Sequence, residues 1–176
     1  GKTYVAAAVA LWFLYSYCPS KVVTTAPTGR QVKELLWAEI RKLHKGAKCD
    51  FPGDRPLTQH IKVDEDWFAT GFSTREYDPD KFTGYHQDHV LVIFDQAAGV
   101  QKGIWESAEG LMTSAHVRWL AIGNCTDPRS EFAKACKPNS GWHRIKIEPI
   151  LLALRQHEYW LVGITKPILH AGRHSI

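Results

Sequence analysis

Apolar and polar positions alternate in two rhythms along this chain. After Gly1-Lys2-Thr3 the run AAAVALWFLY predicts a helix reaching Tyr17, stopped by Pro19 and Ser20. KVVTTA, Lys21 to Ala26, is β-branched and ends at Pro27, which predicts a strand. In TGRQVKELLWAEIRKLH, Val32, Leu35, Leu36, Ile40 and Leu43 fall at helical spacing, so an amphipathic helix follows. Lys45 to Leu57, with its prolines and glycines, reads as loop. His60 to Thr74 holds two short strands around an acidic turn, and Arg75 to His86 is a polar loop. HVLVIFD, His89 to Asp95, is a strand with hardly a polar residue before its end. Gly103 to Met112 predicts a helix, Val117 to Gly123 a strand, and the stretch after Pro128 a further helix. Gly141 to Pro149 is the last clear strand. Beyond it, LLALRQHEYWLVGI reads as a helix and a strand, and KPILHAGRHSI has no periodicity.

Strands that alternate with helices and are apolar nearly throughout belong to a mainly parallel sheet covered on both faces, so the fold class is α/β. The 176 residues, 44% hydrophobic and 23% charged, suit one globular domain. A net charge of +4 permits a polyanionic partner without demanding one. The longest apolar stretch, Val5 to Cys18, is too short to span a bilayer. Cys18, Cys49, Cys125 and Cys136 match no zinc module, and the histidines are scattered; reduced, mostly buried thiols are expected. The tryptophans sit inside the expected elements, where core packing is their role.

Two features carry chemistry. Asp95 ends the apolar strand, where ligands bind in open α/β sheets. Alone, it reads equally well as a cap for the next segment. Gly1-Lys2-Thr3 opens a helix, and Gly-Lys-Thr at a helix N-terminus is the end of a phosphate-binding loop. There the lysine reaches β and γ phosphates and the hydroxyl holds Mg²⁺. The tripeptide alone is a weak signal; combined with the strand-end carboxylate it points to a nucleotide. The first glycine of the full motif and the strand before it would lie ahead of Gly1, so a longer reading frame is expected.

With Gly1-Lys2-Thr3 first, TTAPTGRQV (Thr24 to Val32), FTGYHQDHVLVIFDQAAGV (Phe82 to Val100) and LAIGNCTDPRSEF (Leu120 to Phe132) follow in order. Together they resemble the ATPase domain of the large terminase subunit of tailed bacteriophages, from Gly1 to about Pro149. The resemblance implies a RecA-like P-loop ATPase, here without its first strand, that packs double-stranded DNA into a prohead. It implies ATP and Mg²⁺ as cofactors, with Gly1, Lys2, Thr3 and Asp95 on the nucleotide and Thr3 and Asp95 on the metal. Gly123, Asn124 and Thr126 would couple hydrolysis to movement. Arg30 and Gln31 are candidate DNA contacts, or simply the solvated start of a helix. Lys33, Arg41, Lys42 and Lys45 line one helix face, which reads as solvated or as a second DNA contact. The implied partners are DNA, a small terminase subunit, a portal protein and further copies in a ring, in the host cytoplasm and not in a membrane.

The chain departs from the family pattern at Gln96, where a glutamate is usual, and at Cys125, where a proline is usual. Residues 150–176 match poorly, and no nuclease domain is expected after Pro149 within this sequence. Gln96 beside Asp95 predicts a site that binds nucleotide better than it cleaves it, since an amide orients water but takes no proton. A non-hydrolysing nucleotide-binding remnant and a helicase-type ATPase are the alternatives. A sheet lacking its first strand is expected to expose unpaired edges and to self-associate.

Overall fold

The computed structural model describes residues 1–74, 84–111, 116–147 and 159–164. Helix α1 spans Lys2–Ser16 and strand β1 Lys21–Ala26. A π-helical turn, Gln31–Leu36, runs straight into α2, Trp37–Lys45. A hairpin follows, β2 His60–Asp64 and β3 Trp67–Ser73. Then come β4 His89–Asp95, a 3₁₀ turn Ala97–Gly99, α3 Lys102–Leu111, β5 His116–Asn124 and α4 Glu131–Ala135. Short β6, Ile145–Ile147, and β7, Tyr159–Ile164, close the order. The α/β class expected from the sequence is what the chain adopts.

One seven-stranded sheet has the order β2-β3-β1-β4-β5-β7-β6. β3, β1, β4 and β5 are mutually parallel; β2 and β7 pair antiparallel with β3 and β5. Strand side chains point to opposite faces in turn. Val22, Leu91, Ile93, Leu120 and Ile122 therefore face α1 and α2. Val23, Val90, Val92, Phe94, Val117, Trp119 and Ala121 face α3 and α4 on the other side. Burial on both faces is why β4 reads as an unbroken apolar run up to Asp95.

Three expectations need correction. The helix after β1 was expected to be one regular α-helix with Leu35 on its buried stripe. It opens instead as a π-turn, whose i→i+5 bonds give less rotation per residue. Val32 and Leu36 stay buried, and Leu35 is turned out to solvent. Trp12 was assigned to the core and is 57% exposed, because α1 is apolar all round and has more apolar surface than the sheet covers. Of the cysteines only Cys136 is buried; Cys18 and Cys49 are exposed.

The edge of β5 is not open. β7 runs along it from Trp119↔Ile164 to Asn124↔Tyr159, inside the stretch that was hardest to read. Among the described residues the outer strands are β2 and β6, so self-association through β5 loses its physical reason.

Trp37 is fully buried, and its indole N–H donates to Thr24 Oγ1 at 2.9 Å. Gly71 leaves room for that ring, since a Cβ there would meet Trp37 Nε1 at 2.1 Å and Thr24 Oγ1 at 2.8 Å. Gly71→Ala is expected to destabilise the fold by about 1–3 kcal/mol, the cost of overpacking. Urea denaturation monitored by tryptophan fluorescence measures it; an unchanged midpoint would contradict this packing.

Candidate functional site

The site is set by strand periodicity. On β4 the series Leu91, Ile93, Asp95 faces α1, and on β5 the series Leu120, Ile122, Asn124 does the same. β5 extends further, because Asp95 is registered with Ile122. The apolar members of each series pack under the helix, and the polar last members meet its first turn. There Lys2 Nζ donates to Asn124 Oδ1 at 2.9 Å. The Thr3 hydroxyl acts on the Asp95 carboxyl and holds it down against the effect of burial. Lys2, Thr3, Asp95 and Asn124, singled out in the sequence, thus converge on one spot.

Asp95 is 1% exposed. Burial pushes its carboxyl above the ordinary value, opposed by the Thr3 hydroxyl, the Gln96 N–H and the Lys2 ammonium. The Gln96 N–H donates to Asp95 Oδ1 at 3.0 Å. Lys2 is held below its usual value by burial, against the pull of Asp95. The exposed Gly1 caps α1, and its carbonyl accepts from Val5 N at 3.3 Å.

Gln96 follows in the left-handed region, φ 56° and ψ 45°. That conformation costs a non-glycine residue roughly 1–2 kcal/mol. It turns the chain sharply off the strand, and Gly99 N closes the turn on Gln96 O at 3.0 Å. Gly123 lies on the opposite face of β5, beneath this turn. A Cβ there would press on Ala97 N at 3.2 Å and Ala98 N at 3.4 Å. Its role is to let the Asp95-Gln96 turn lie on β5.

The remaining candidates are arranged differently. Gln31 forms a reciprocal cap: its Oε1 accepts from Thr28 N at 3.0 Å, and Thr28 Oγ1 accepts from Gln31 N at 3.3 Å. The spacing Thr-x-x-Gln carries that signal in the sequence. Arg30 is exposed and pairs with Glu34 at 3.2 Å. Arg41 donates to the carbonyls of Thr58 and Lys33, and Lys42 approaches Glu39 at 3.9 Å. Thr126 is exposed, and its backbone N–H closes on Asn124 O at 2.9 Å. What the sequence did not suggest is the direct contact of Lys2 with Asn124.

The donors suit a hard divalent cation of the kind that binds one or two carboxylates together with substrate phosphates. Asp95 has acceptor capacity beyond the Gln96 N–H, and Thr3 Oγ1 has lone pairs to offer. Among the described residues no cluster of three or more His, Cys, Asp or Glu side chains exists, so no all-protein metal cage competes. No described helix is long and apolar enough to cross a membrane.

A group whose folded pKa is raised gives stability that is full below its unfolded value and is lost as pH rises through the folded value. For Asp95 the unfolded reference is 3.8. Asp95→Asn keeps the neutral form at every pH. It is expected to match the native chain in acid and to exceed it in stability at neutral pH. Denaturation midpoints over a pH series test this; a variant less stable at neutral pH would show that the charged carboxylate is stabilising here.

No family model matches the chain. A "Probable terminase, large subunit" from Enterobacteria phage P7 is 25% identical over 159 residues, which cover 85% of this chain and 30% of that protein. The chain therefore spans less than a third of the length of this relative. The similarity is distant, and it has the direction that the motifs gave.

Proposed function

We propose that this chain is the ATP-binding part of a terminase-type motor with a RecA-like P-loop core. The carrying observation is the convergence of Lys2 and Thr3, at a helix N-terminus, with Asp95 and Asn124 at two parallel strand ends. Helix N–H groups and a lysine at such a place favour phosphate. The distant similarity to a phage terminase large subunit supports the same reading.

In this reading Lys2 would exchange Asn124 for the nucleotide's phosphates, and Thr3 and Asp95 would hold Mg²⁺. The metal, when bound, neutralises charge on the phosphates. Asn124, released by Lys2, begins the segment with Thr126 that passes the nucleotide state to the rest of the protein. Gln96, fixed beside Asp95, orients water by hydrogen bonding and cannot accept its proton. The motor's work would be packing double-stranded DNA in the host cytoplasm, with a small terminase subunit, a portal protein and further copies in a ring. Gln96 favours a second reading for the chain as it stands, a module that binds ATP without turning it over.

Two variants separate the outcomes. Lys2→Ala is expected to abolish MgATP binding in calorimetry without loss of fold by circular dichroism. Gln96→Glu is expected to raise phosphate release by about 10²–10⁴-fold, the range a positioned general base supplies. Equal binding by the native chain and Lys2→Ala would reject the site. Binding with no gain in the glutamate variant would leave only the non-hydrolysing module.

A further inference from the structure

A second concavity opens far from Lys2. α2 runs back from the end of β1, and its last turn meets the last turn of α1, where Tyr15 Oη and His44 Nε2 share a hydrogen bond at 3.1 Å. Lys2 and Tyr15 stand at opposite ends of α1, roughly 20 Å apart by helical rise. Between the end of α2 and the loop that follows it lies a cavity of about 560 Å³, a size that suits a small ligand.

The walls of this cavity are held in place. The loop is pinned to the outer edge of β2, with Asp54 N donating to Lys62 O at 2.8 Å and Leu57 N to His60 O at 2.8 Å. Gly53 allows that approach at φ 91°, where a Cβ would meet Lys62 O at 2.6 Å. Phe51, in the cavity wall, stacks on Tyr15 with centroids 4.1 Å apart and rings 4° from parallel, and it lies 5.0 Å from the His44 ring.

The same walls carry unbalanced charge. Arg41, Lys45 and Arg55 line the cavity. Arg41 donates to Thr58 O at 2.6 Å and to Lys33 O at 3.3 Å, which orients the guanidinium without neutralising it and leaves further N–H groups to donate. Among the described residues none of the three has a carboxylate within ion-pair distance. Asp50 opposes them with one charge, and the carbonyl end of α2 with about half a charge, so an excess of about +1.5 remains. Burial holds His44 below its usual value and pushes Tyr15 up to about 12, so both are neutral at pH 7 and leave that excess unchanged. A concave wall of one sign focuses its field on an anion.

We propose that this cavity binds an organic phosphate of mononucleotide size, with the phosphate on Arg41, Lys45 and Arg55 and a flat ring against Phe51. Guanidinium forks match phosphate oxygens, and an aromatic wall takes a ring. A carboxylate in the wall tolerates one phosphate and repels a run of them, which favours a small anion over a nucleic-acid backbone. The site is independent of the function proposed above.

The test is calorimetry with adenosine 5′-monophosphate and EDTA on the full chain, with amide chemical shifts to locate the binding. Binding is expected, with shifts at Ala47, Phe51 and Gly53 that persist in Lys2→Ala. Inorganic phosphate should compete, and adenosine should bind far more weakly. Lys45 and Arg55 are exposed, so Lys45→Ala and Arg55→Ala should keep the fold by circular dichroism and each weaken the nucleotide about tenfold. No binding at millimolar nucleotide, or equal binding of adenosine, would overturn the site. So would binding that is lost in Lys2→Ala and kept in Lys45→Ala and Arg55→Ala, since the ligand would then lie at the other end of α1. A DNA duplex that binds through Lys45 and Arg55 and is not displaced by the nucleotide would replace this proposal with a DNA contact.

Discussion

A carboxylate buried at the end of an apolar strand has to be met by donors, or it will not stay charged. Asp95 is such a group, and the arrangement around it follows from that demand. One donor is local, the N–H of Gln96, presented by a left-handed turn that would otherwise be costly. The others arrive from α1, through the Thr3 hydroxyl and the charge of Lys2. α1 brings them because the residues preceding Asp95 and Asn124 on each strand form the apolar bed on which that helix lies. Packing thus positions the charge, and the charge sets the chemistry open to the site.

β4, and β5 from Trp119 on, were legible because burial on both faces leaves an unbroken apolar run, while β1 was legible from its β-branched residues. Asp95 was legible for the same reason, as the residue at which such a run stops. The contact of Lys2 with Asn124 was not, because nothing local links residues so far apart in sequence. α1 is apolar on every side, so no pattern in it told Trp12 from Phe13. The π-turn was hidden because its apolar residues fit a 3.6-residue period nearly as well. Gln31 shows the opposite case: the Thr-x-x-Gln spacing was in view, and a local cap was passed over for a contact with a distant partner.

The strand-end residues also divide the labour between the sheet's two faces. Asp95 and Asn124 point toward α1, where phosphate chemistry is proposed. Gly123 and the Ala97–Gly99 turn lie on the other side, against Phe132 of α4. A change in Asn124 is therefore one residue away from the contact surface of α4, and Cys125 bridges the two. Such adjacency gives a signal at the site a short covalent route to the opposite layer, through residues whose side chains alternate by the geometry of a strand.

Lys2 and Asn124 are separated by 122 positions. A chain made from its N-terminus completes α1 long before the strand that receives it. Until β4 and β5 exist, the helix has neither its apolar bed nor its polar partners, and it presents Trp12 and the rest of its surface to whatever is near. Contacts of such sequence separation form slowly. The meeting of Lys2 with Asp95 and Asn124 is therefore completed only once β5 has been made, and α1 waits for it.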